Sequence, residues 1–185
     1  DLLKDEEDPE EIKDYAQVIH EKSLRLKTLI DDLFEVSQTG KEIKEADLQI
    51  LNLKDLLNQV LGEWEDQFTS HDLKLITHLE EDLPVKIDGK RAYRIFDNLC
   101  SNISKYGLEG SRIYVDASKE GDGCQVVFKN ISREALDKNV DFANRFTRGD
   151  EARSSEGHGL GLAIAKSLTL QMKGDFSLEV DGDLF

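Results

Sequence analysis

A narrow apolar stripe near the start of the chain restricts the folds that this sequence can adopt. Its members recur at alternating spacings of three and four, with Lys22 in the one interrupted position: Ile12, Tyr15, Ile19, Leu26, Leu29, Leu33 and Val36. This spacing is typical of a heptad seam, and Asp8 and Pro9 favour a helix start just before it. A stripe this narrow over roughly 30 residues is not buried by its own helix, so it predicts partner helices in a bundle or dimer. The alternative is one long helix that lies against its own domain.

The charge of the chain excludes several classes of partner. Its 39 acidic and 24 basic residues leave a formal charge of -15, whereas affinity for nucleic acids and anionic lipids comes largely from Lys and Arg. We therefore expect no nucleic-acid binding and no membrane contact by these residues. The sequence contains no apolar run of bilayer length and no signal-peptide pattern, which favours a cytoplasmic location. Cys100 and Cys124 lie in apolar contexts and are expected to be buried thiols, not a disulfide or a zinc site.

A change of pattern around Gly40 predicts a domain boundary. We expect residues 1–46 to belong to a partial helical domain and residues 47–185 to form a second compact domain. In the second domain, Asn52 and Asp88 are predicted to cap helices over about 53–68 and 88–106, and a further helix is predicted over about 160–173. Strands are predicted around 73–77, 84–87, 113–115, 126–128 and 176–180. The stretch 138–158 has no clear period and is expected to be a mobile loop.

One flank of the helix predicted over 88–106 carries two amides and an ammonium. Asn98, Asn102 and Lys105 stand at i, i+4 and i+7, so they share one face. Asparagine is a poor residue for a helix interior. A carboxamide oxygen suits a magnesium ion that keeps most of its waters and also binds phosphate, whose charge the lysine would meet. An ordinary solvated polar face explains the pattern equally well.

A second candidate site is the glycine-rich segment Gly157-His158-Gly159-Leu160-Gly161, which leads directly into an apolar helix. Glycines let backbone N–H groups approach an anion closely, and the helix N-terminus adds a favourable dipole. The spacing is neither the dinucleotide fingerprint nor a Walker loop. The segment is therefore a candidate phosphate cradle, with a flexible helix entry as the alternative.

Three segments in this order resemble the sequence boxes of sensor histidine kinases. Residues 98–106 resemble the N box, residues 142–150 the F box and residues 157–166 the G2 box. The helix from Pro9 to Val36 resembles the second helix of the dimerisation and phosphotransfer domain in this bacterial, mostly membrane-anchored family. The resemblance implies an α+β fold, a two-layer α/β sandwich of the Bergerat ATP-binding type, preceded by a helix of a dimeric four-helix bundle.

The resemblance also implies a reaction. The family transfers the γ-phosphoryl group of Mg-ATP to a histidine and then to an aspartate of a response regulator, and its members are homodimers through the helical domain. It implies magnesium at Asn98, the adenine beside Tyr106 and a nucleotide site made of Asn98, Asn102, Lys105, Tyr106, Asn130, Arg148, Gly157, His158, Gly159, Leu160 and Gly161. Such a transfer depends mainly on positioning and charge neutralisation, which amides, a lysine and magnesium can supply. The loop 138–158 would close over the nucleotide as a lid.

The sequence departs from the family at the G1 box, where D-x-G-x-G is usual. Alternation through Val126 and Phe128 puts Asn130 at the aspartate position, and Ser132 replaces a glycine. The carboxamide oxygen of Asn130 can still accept a hydrogen bond from the adenine amino group, but it carries no charge and its NH₂ group can misalign. We expect ATP to bind, with weaker affinity, because the phosphate half of the site is intact.

The phosphoacceptor is the second departure. His71 with Asp72 imitates the family's H box, but Leu75-Ile76 follows and the segment lies inside the ATP-binding unit. His20 and His78 are expected at the surface, and His158 lies in the glycine segment. The resemblance therefore implies an acceptor upstream of Asp1 and a fragment of a membrane-anchored sensor that does not phosphorylate itself, with its last strand truncated.

Three functions remain open from the sequence. The first is a kinase core. The second is a weakened kinase that acts mainly as a response-regulator phosphatase or scaffold, which the altered G1 box would favour. The third is a purely structural helical dimer, which would show no response to nucleotide.

Overall fold

The computed structural model describes residues 9–37, 47–134 and 160–185. The chain separates into two compact units, residues 1–38 and 39–185. The predicted boundary at residue 46 falls in residues 38–46, outside the described residues, and stays a prediction. No helix within the described parts of the chain combines the length and the apolar character needed to span a membrane.

The first unit contains a single described helix, α1, over Pro9–Ser37. It begins at the proline, as the sequence predicts. Much of its apolar stripe is exposed, and the exposed fraction reaches 52% at Ile19 and 57% at Leu26. Val18, Leu24 and Ile30 add further exposed apolar surface outside the predicted seam. Among the side chains that the structure describes, the helix therefore presents apolar groups to solvent between Ile12 and Ile30.

The second unit mixes helices and short strands, as the sequence predicts for an α+β fold. Its elements in chain order are β1 (Gln49–Asn52), α2 (Leu53–Ser70), β2 (Lys74–Leu79), β3 (Pro84–Ile87), α3 (Gly89–Tyr106), β4 (Arg112–Glu120), β5 (Gly123–Asn130) and α4 (Gly161–Gln171). β1 pairs antiparallel with β3, and the second sheet has the order β2-β4-β5. In that sheet β2 is parallel to β4, and β4 is antiparallel to β5.

The three-stranded sheet buries one face. Ile113, Val115 and Ala117 on β4 are almost completely inaccessible to solvent, and their neighbours in the chain are not. We call this the inner face. Register places Asn130 beside Ile113 and Phe128 beside Val115, and alternation of side chains puts all four on the inner face.

The outer face of the same sheet carries a charged group. Asp116 Oδ1 lies 2.8 Å from His78 Nδ1, and Asp116 Oδ2 accepts a hydrogen bond of 2.8 Å from Lys129 Nζ. The hydrogen bond from Lys129, followed by that from His78, holds the pKa of Asp116 below its usual range. The exposed position of His78 agrees with the sequence-based expectation.

The helices pack over the inner face through apolar contacts and two polar links. The Phe96 and Phe128 rings stack with centroids 6.1 Å apart, which joins α3 to β5. Trp64 Nε1 donates a hydrogen bond of 2.9 Å to Asp97 Oδ1, which joins α2 to α3. Nearby, Tyr93 donates to the Glu63 carboxylate, and this bond raises the pKa of Tyr93 to about 12.

Both predicted caps form. The Asn52 side chain accepts from the Lys54 N–H at the start of α2, and Asp88 Oδ1 accepts from the N–H groups of Lys90 and Arg91 at the start of α3. These bonds satisfy donors that the first helical turn leaves without partners. The two caps therefore define where α2 and α3 begin.

The strand predicted around 176–180 does not form. Phe176, Leu178 and Val180 are half buried while the residues between them are exposed, so the alternation is real, but residues 174–180 are not in a strand. The edge of the sheet next to Asn130 pairs instead with Phe185, through hydrogen bonds of 2.8 Å in both directions. Alternating burial of side chains shows that one side of the chain is covered. It does not show that a strand edge is available for pairing.

The Asp88 cap has a measurable effect on stability. Asp88 is buried and also forms an ion pair with the Arg91 guanidinium. We expect Asp88→Ala to lower the free energy of unfolding by about 1–2 kcal/mol, because the cap donors lose their acceptor. Chemical denaturation measures this, with Asp88→Asn as the control that retains an acceptor and recovers much of the loss. Equal stability of Asp88→Ala and the wild type would show that the cap does not stabilise α3.

The two cysteines should differ in reactivity. Cys100 is completely buried on α3, and burial, with a smaller effect of Asp97, raises the pKa of its thiol to about 12. At pH 8 its thiolate fraction is then on the order of one in ten thousand. Cys124 is only partly buried, so the sequence-based expectation of a buried thiol is wrong for it, although burial raises the pKa of this thiol as well. A thiol-specific chromogenic reagent should therefore label Cys124 faster than Cys100, which should react only after unfolding. Two equally fast thiols in the folded protein, or a fast thiol left in Cys124→Ser, would contradict this packing.

Candidate nucleotide-binding site

Two of the predicted site residues, Asn98 on α3 and Gly161 at the start of α4, lie in direct contact. Asn98 Oδ1 is 3.3 Å from the position that a Cβ atom on Gly161 would occupy, and the Asn98 backbone oxygen is 3.8 Å from it. A side chain at position 161 would therefore press on the carboxamide. Glycine is favoured there by the close approach of the two helices, not by its backbone freedom.

The carboxamide of Asn98 has a defined orientation. Its Nδ2 donates a hydrogen bond of 2.8 Å to the carbonyl oxygen of Arg94, one turn earlier in α3. This bond uses the donor side of the amide within the helix, so Oδ1 is the atom presented toward Gly161. The buried apolar residues of α3 hold this position in place: Ile95, Phe96, Cys100 and Ile103.

The start of α4 is suited to receive a negatively charged group. Leu160 occupies the N-cap position and supplies no side-chain hydrogen bond to the first turn. Leu160 itself is only 2% exposed, so its side chain belongs to the core and any contribution to a ligand comes from its backbone. The α4 side chains that follow are buried nearly all round the helix, which fixes its N-terminus against α3. N–H groups at such a terminus favour an anion.

A magnesium ion that arrives with phosphates fits these residues. Oδ1 of Asn98 is a hard, neutral oxygen ligand, and the space beside it would be filled by a Cβ atom on Gly161. Among the described residues, no group of three His, Cys, Asp or Glu side chains is close enough to hold a metal ion. The described donors therefore suit a cation that keeps most of its waters and shares its remaining ligands with phosphate oxygens.

The rest of the polar flank continues toward the C-terminal end of α3. Asn102 and Tyr106 are half buried, and Lys105 is exposed and makes an interaction of its own. Eight residues separate Asn98 from Tyr106, which corresponds to about 12 Å along the helix axis. The flank is therefore long enough to contact both ends of an elongated ligand.

Asn130 lies beneath this C-terminal end of α3. The Leu108 N–H donates to the Ile131 carbonyl at 2.9 Å, and the Arg133 N–H donates to the Tyr106 carbonyl at 2.8 Å. These bonds attach the end of β5 to the end of α3. Asn130 is 4% exposed and lies on the inner face, so its carboxamide is directed at the helical layer.

The remaining predicted residues are those that precede α4 and the histidine at the end of α2. Arg148, Gly157, His158 and Gly159 lie outside the described residues, so their roles stay predictions, as does the predicted loop over 138–158. His71 forms the C-cap of α2, where its Nδ1 lies 2.9 Å from the Gln67 carbonyl oxygen, and it precedes β2 instead of belonging to it.

The sequence analysis did not identify the aromatic pair beside the site. Phe96 and Phe128 stack between α3 and β5, two residues before Asn98 and Asn130 respectively. The apolar periodicity of both residues was visible in the sequence. Their ring contact depends on how α3 packs on β5, which the sequence does not show.

Comparison with known proteins finds a matching family profile and several similar proteins. The sequence profile described as "Histidine kinase-, DNA gyrase B-, and HSP90-like ATPase" matches residues 87–183, more than half of the chain. The chain is 33% identical over 167 residues to the sensor protein VanS of Enterococcus faecium, a match that covers 89% of this chain and 44% of that protein. The chain thus spans less than half the length of the curated relatives that it matches first.

Solved structures share the fold. Full-length ShkA in complex with AMPPNP superposes with a TM-score of 0.80 at 20% identity, covering 99% of this chain and 39% of that one. The histidine kinase ThkA in complex with the response regulator protein TrrA gives a TM-score of 0.67 at 20% identity, over 98% of this chain and 52% of that one. At these identities the likeness establishes the architecture alone.

Gly161→Ala tests the contact between α3 and α4. The added methyl group would sit 3.3 Å from Asn98 Oδ1 and displace the carboxamide. We expect the affinity for magnesium with AMPPNP to fall about tenfold, because misplacement of a ligand-orienting group is costly. The free energy of unfolding should change by less than about 1 kcal/mol, since alanine is also the better helix former. Titration calorimetry and denaturation measure the two effects.

Gly62→Ala is the matched control. Gly62 lies inside α2, and a Cβ atom there would meet nothing within 4 Å. This variant should be more stable by about 0.5–1 kcal/mol and bind the nucleotide like the wild type. Unchanged affinity in Gly161→Ala would show that the close approach of Gly161 to Asn98 has no part in binding.

Proposed function

This chain belongs to the histidine kinase-, DNA gyrase B- and HSP90-like ATPase family and carries the ATP-binding core of a two-component sensor histidine kinase, and on that premise we propose that residues 47–185 bind Mg-ATP and donate its γ-phosphoryl group to a histidine. The phosphoryl group is then relayed to an aspartate of a response regulator. The observation that carries the proposal is the contact of Asn98 Oδ1 with Gly161 at the N-terminus of α4.

The residues have separate tasks in this proposal. Asn98, held by its hydrogen bond to Arg94, orients the triphosphate through its free carboxamide oxygen. When bound, magnesium supplies positive charge to the phosphate oxygens. Asn102 and Lys105 contact the phosphates along α3, and the backbone N–H groups at the start of α4 add hydrogen bonds to them. Gly157 and Gly159 are proposed to contribute N–H groups as well. Arg148 and His158 are proposed to add charge and hydrogen bonds there.

The base occupies the other end of the flank. Tyr106 lies about 12 Å along α3 from Asn98, and Asn130 lies beneath it. We assign both to the purine. The transfer then needs correct positioning of the γ-phosphoryl group and neutralisation of its charge, and no general base in this unit.

The partners follow from the same proposal. The exposed apolar side chains of α1, such as Ile19 and Leu26, support homodimerisation through a helical bundle in the whole protein. A response regulator receives the phosphoryl group, and ThkA, whose structure is similar, was solved with its response regulator protein. Because ATP is a cytoplasmic substrate, we place these residues on the cytoplasmic side of a membrane-anchored bacterial sensor.

A second function is favoured by one observation. Asn130 brings a neutral amide to the inner face where the family resemblance implies a carboxylate. A weaker nucleotide site would shift the balance toward dephosphorylation of the response regulator or toward a scaffold. Dephosphorylation of a prephosphorylated regulator, measured with and without nucleotide, distinguishes this function from the kinase.

Titration calorimetry tests the main proposal. Wild type should show saturable binding of AMPPNP in the presence of magnesium, and Asn98→Ala should bind at least about tenfold more weakly, because it lacks the orienting oxygen. The difference between the two should shrink when magnesium is removed. Asn58→Ala on the exposed side of α2 is the matched control and should bind like the wild type. No saturable binding by the folded wild type up to millimolar ligand would eliminate the kinase and leave a nucleotide-free scaffold.

A further inference from the structure

The outer face of the three-stranded sheet concentrates positive charge on an acidic chain. Strand register and alternation place eight side chains together there, in three rows that run across the strands: Lys74 and Arg112; Ile76, Tyr114 and Lys129; His78, Asp116 and Val127. We call these eight side chains the outer patch. Three of them are permanent cations and one is an acid, whereas the whole chain carries a formal charge of -15.

The cationic groups of the outer patch are accessible to solvent. The side chains of Lys129 and His78 are 49% and 68% exposed, although each contacts the Asp116 carboxylate at 2.8 Å. Lys74 and Arg112 are exposed too, and among the described residues no ion pair involves either of them. Because Asp116 already holds Lys129 and His78 in place, these side chains lose less freedom when a partner binds.

Apolar side chains lie between the charged ones. Ile76, Tyr114 and Val127 are half buried, whereas Ile113 and Val115 on the inner face are completely covered. An apolar centre with charged groups around it is the usual composition of a protein interface, and tyrosine is enriched there. The outer patch therefore has the composition of a docking surface and not that of a uniformly charged surface.

Charge and spacing together indicate the kind of partner. Nucleic acids, anionic membranes and a second copy of this acidic chain all carry extended negative charge, which the rest of the chain repels. A short acidic segment of a protein meets the outer patch alone. The rows are two residues apart, about 6.7 Å, and each contains a cation. Carboxylates one turn apart on a helix have a similar separation of about 6 Å.

A helix fits the outer patch better than an extended segment does. Three strands about 4.8 Å apart span about 10 Å, which is the width of one helix. A helix also presents acidic and apolar side chains on one face, whereas an extended segment directs every second residue away from the sheet. Helix on sheet is a standard way for two layers to pack.

We propose that the outer patch docks an acidic amphipathic helix of a partner protein. Its apolar stripe covers Ile76, Tyr114 and Val127, and its carboxylates pair with the cations of the three rows. The opposite face of the sheet carries the helices of the nucleotide site, so this inference does not depend on the proposed function.

Fluorescence anisotropy with a labelled synthetic helix tests this inference. The probe is about 20 residues long, with leucines at alternating spacings of three and four, glutamates beside them and alanines elsewhere. The wild type should bind it saturably and more weakly as salt rises. Lys74→Glu combined with Arg112→Glu should weaken binding at least about tenfold, because the first row then repels the probe. Arg112→Gln, a milder change, should weaken it about threefold.

Two further variants separate the contributions of charge and apolar contact. Lys90→Glu combined with Lys173→Glu is the matched control, because it reverses two exposed cations outside the outer patch and changes the net charge equally. It should bind the probe like the wild type. Ile76→Thr combined with Val127→Thr keeps β-branched side chains in the strands and should weaken the probe at least about threefold, since apolar area is lost.

The opposite results would overturn the inference. Equal weakening in the control pair, or equal binding of a scrambled peptide of the same composition, would show that net charge alone attracts the probe. No saturable binding by the folded wild type would reject the docking site. Tighter binding of duplex DNA or phosphatidylserine vesicles would assign the outer patch to another anion. Self-association in ultracentrifugation that the Lys74→Glu and Arg112→Glu pair abolishes would assign it to a second copy. Binding of AMPPNP measures the proposed function separately in every case.

Discussion

The site depends on how closely α3 and α4 approach each other. Gly161 contacts the Asn98 carboxamide, and the buried residues of both helices hold them in this arrangement. The contact places an oriented amide oxygen beside a helix N-terminus. Each feature by itself is weak evidence for a ligand site, and the two are complementary. Because this arrangement is a packing contact, a larger side chain at the start of α4 would displace the Asn98 carboxamide on α3.

The inner face of the sheet supplies the other end of the site. The pairing of β4 with β5 directs Asn130 at the helices, and the bonds from Leu108 and Arg133 attach the end of β5 to the end of α3. One helix therefore connects the residues that we propose for the phosphates to those that we propose for the base. The neutral amide of Asn130 is one point at which this chain departs from the sequence pattern of the family that it resembles.

Much of the described secondary structure followed from local patterns. The caps at Asn52 and Asp88 and the start of α1 at Pro9 agree with the sequence predictions, because each depends on bonds or dihedral preferences within a few residues. The predicted strand around 176–180 was wrong, because alternation describes burial and a strand also needs a partner edge. For the site, the polar flank of α3 was predictable from its spacing, while the binding roles of its residues, of Arg148 and of 157–159 all remain predictions.

The sequence by itself determined where the helices begin, which side chains share a face, and which residues carry phosphate-compatible chemistry. These properties depend on helical and strand periodicity and on short-range hydrogen bonds. Only the tertiary structure decided that Gly161 lies against Asn98 and that the Asn130 carboxamide is buried. Both depend on the packing of segments distant in the chain, for which the local sequence contains no distance information.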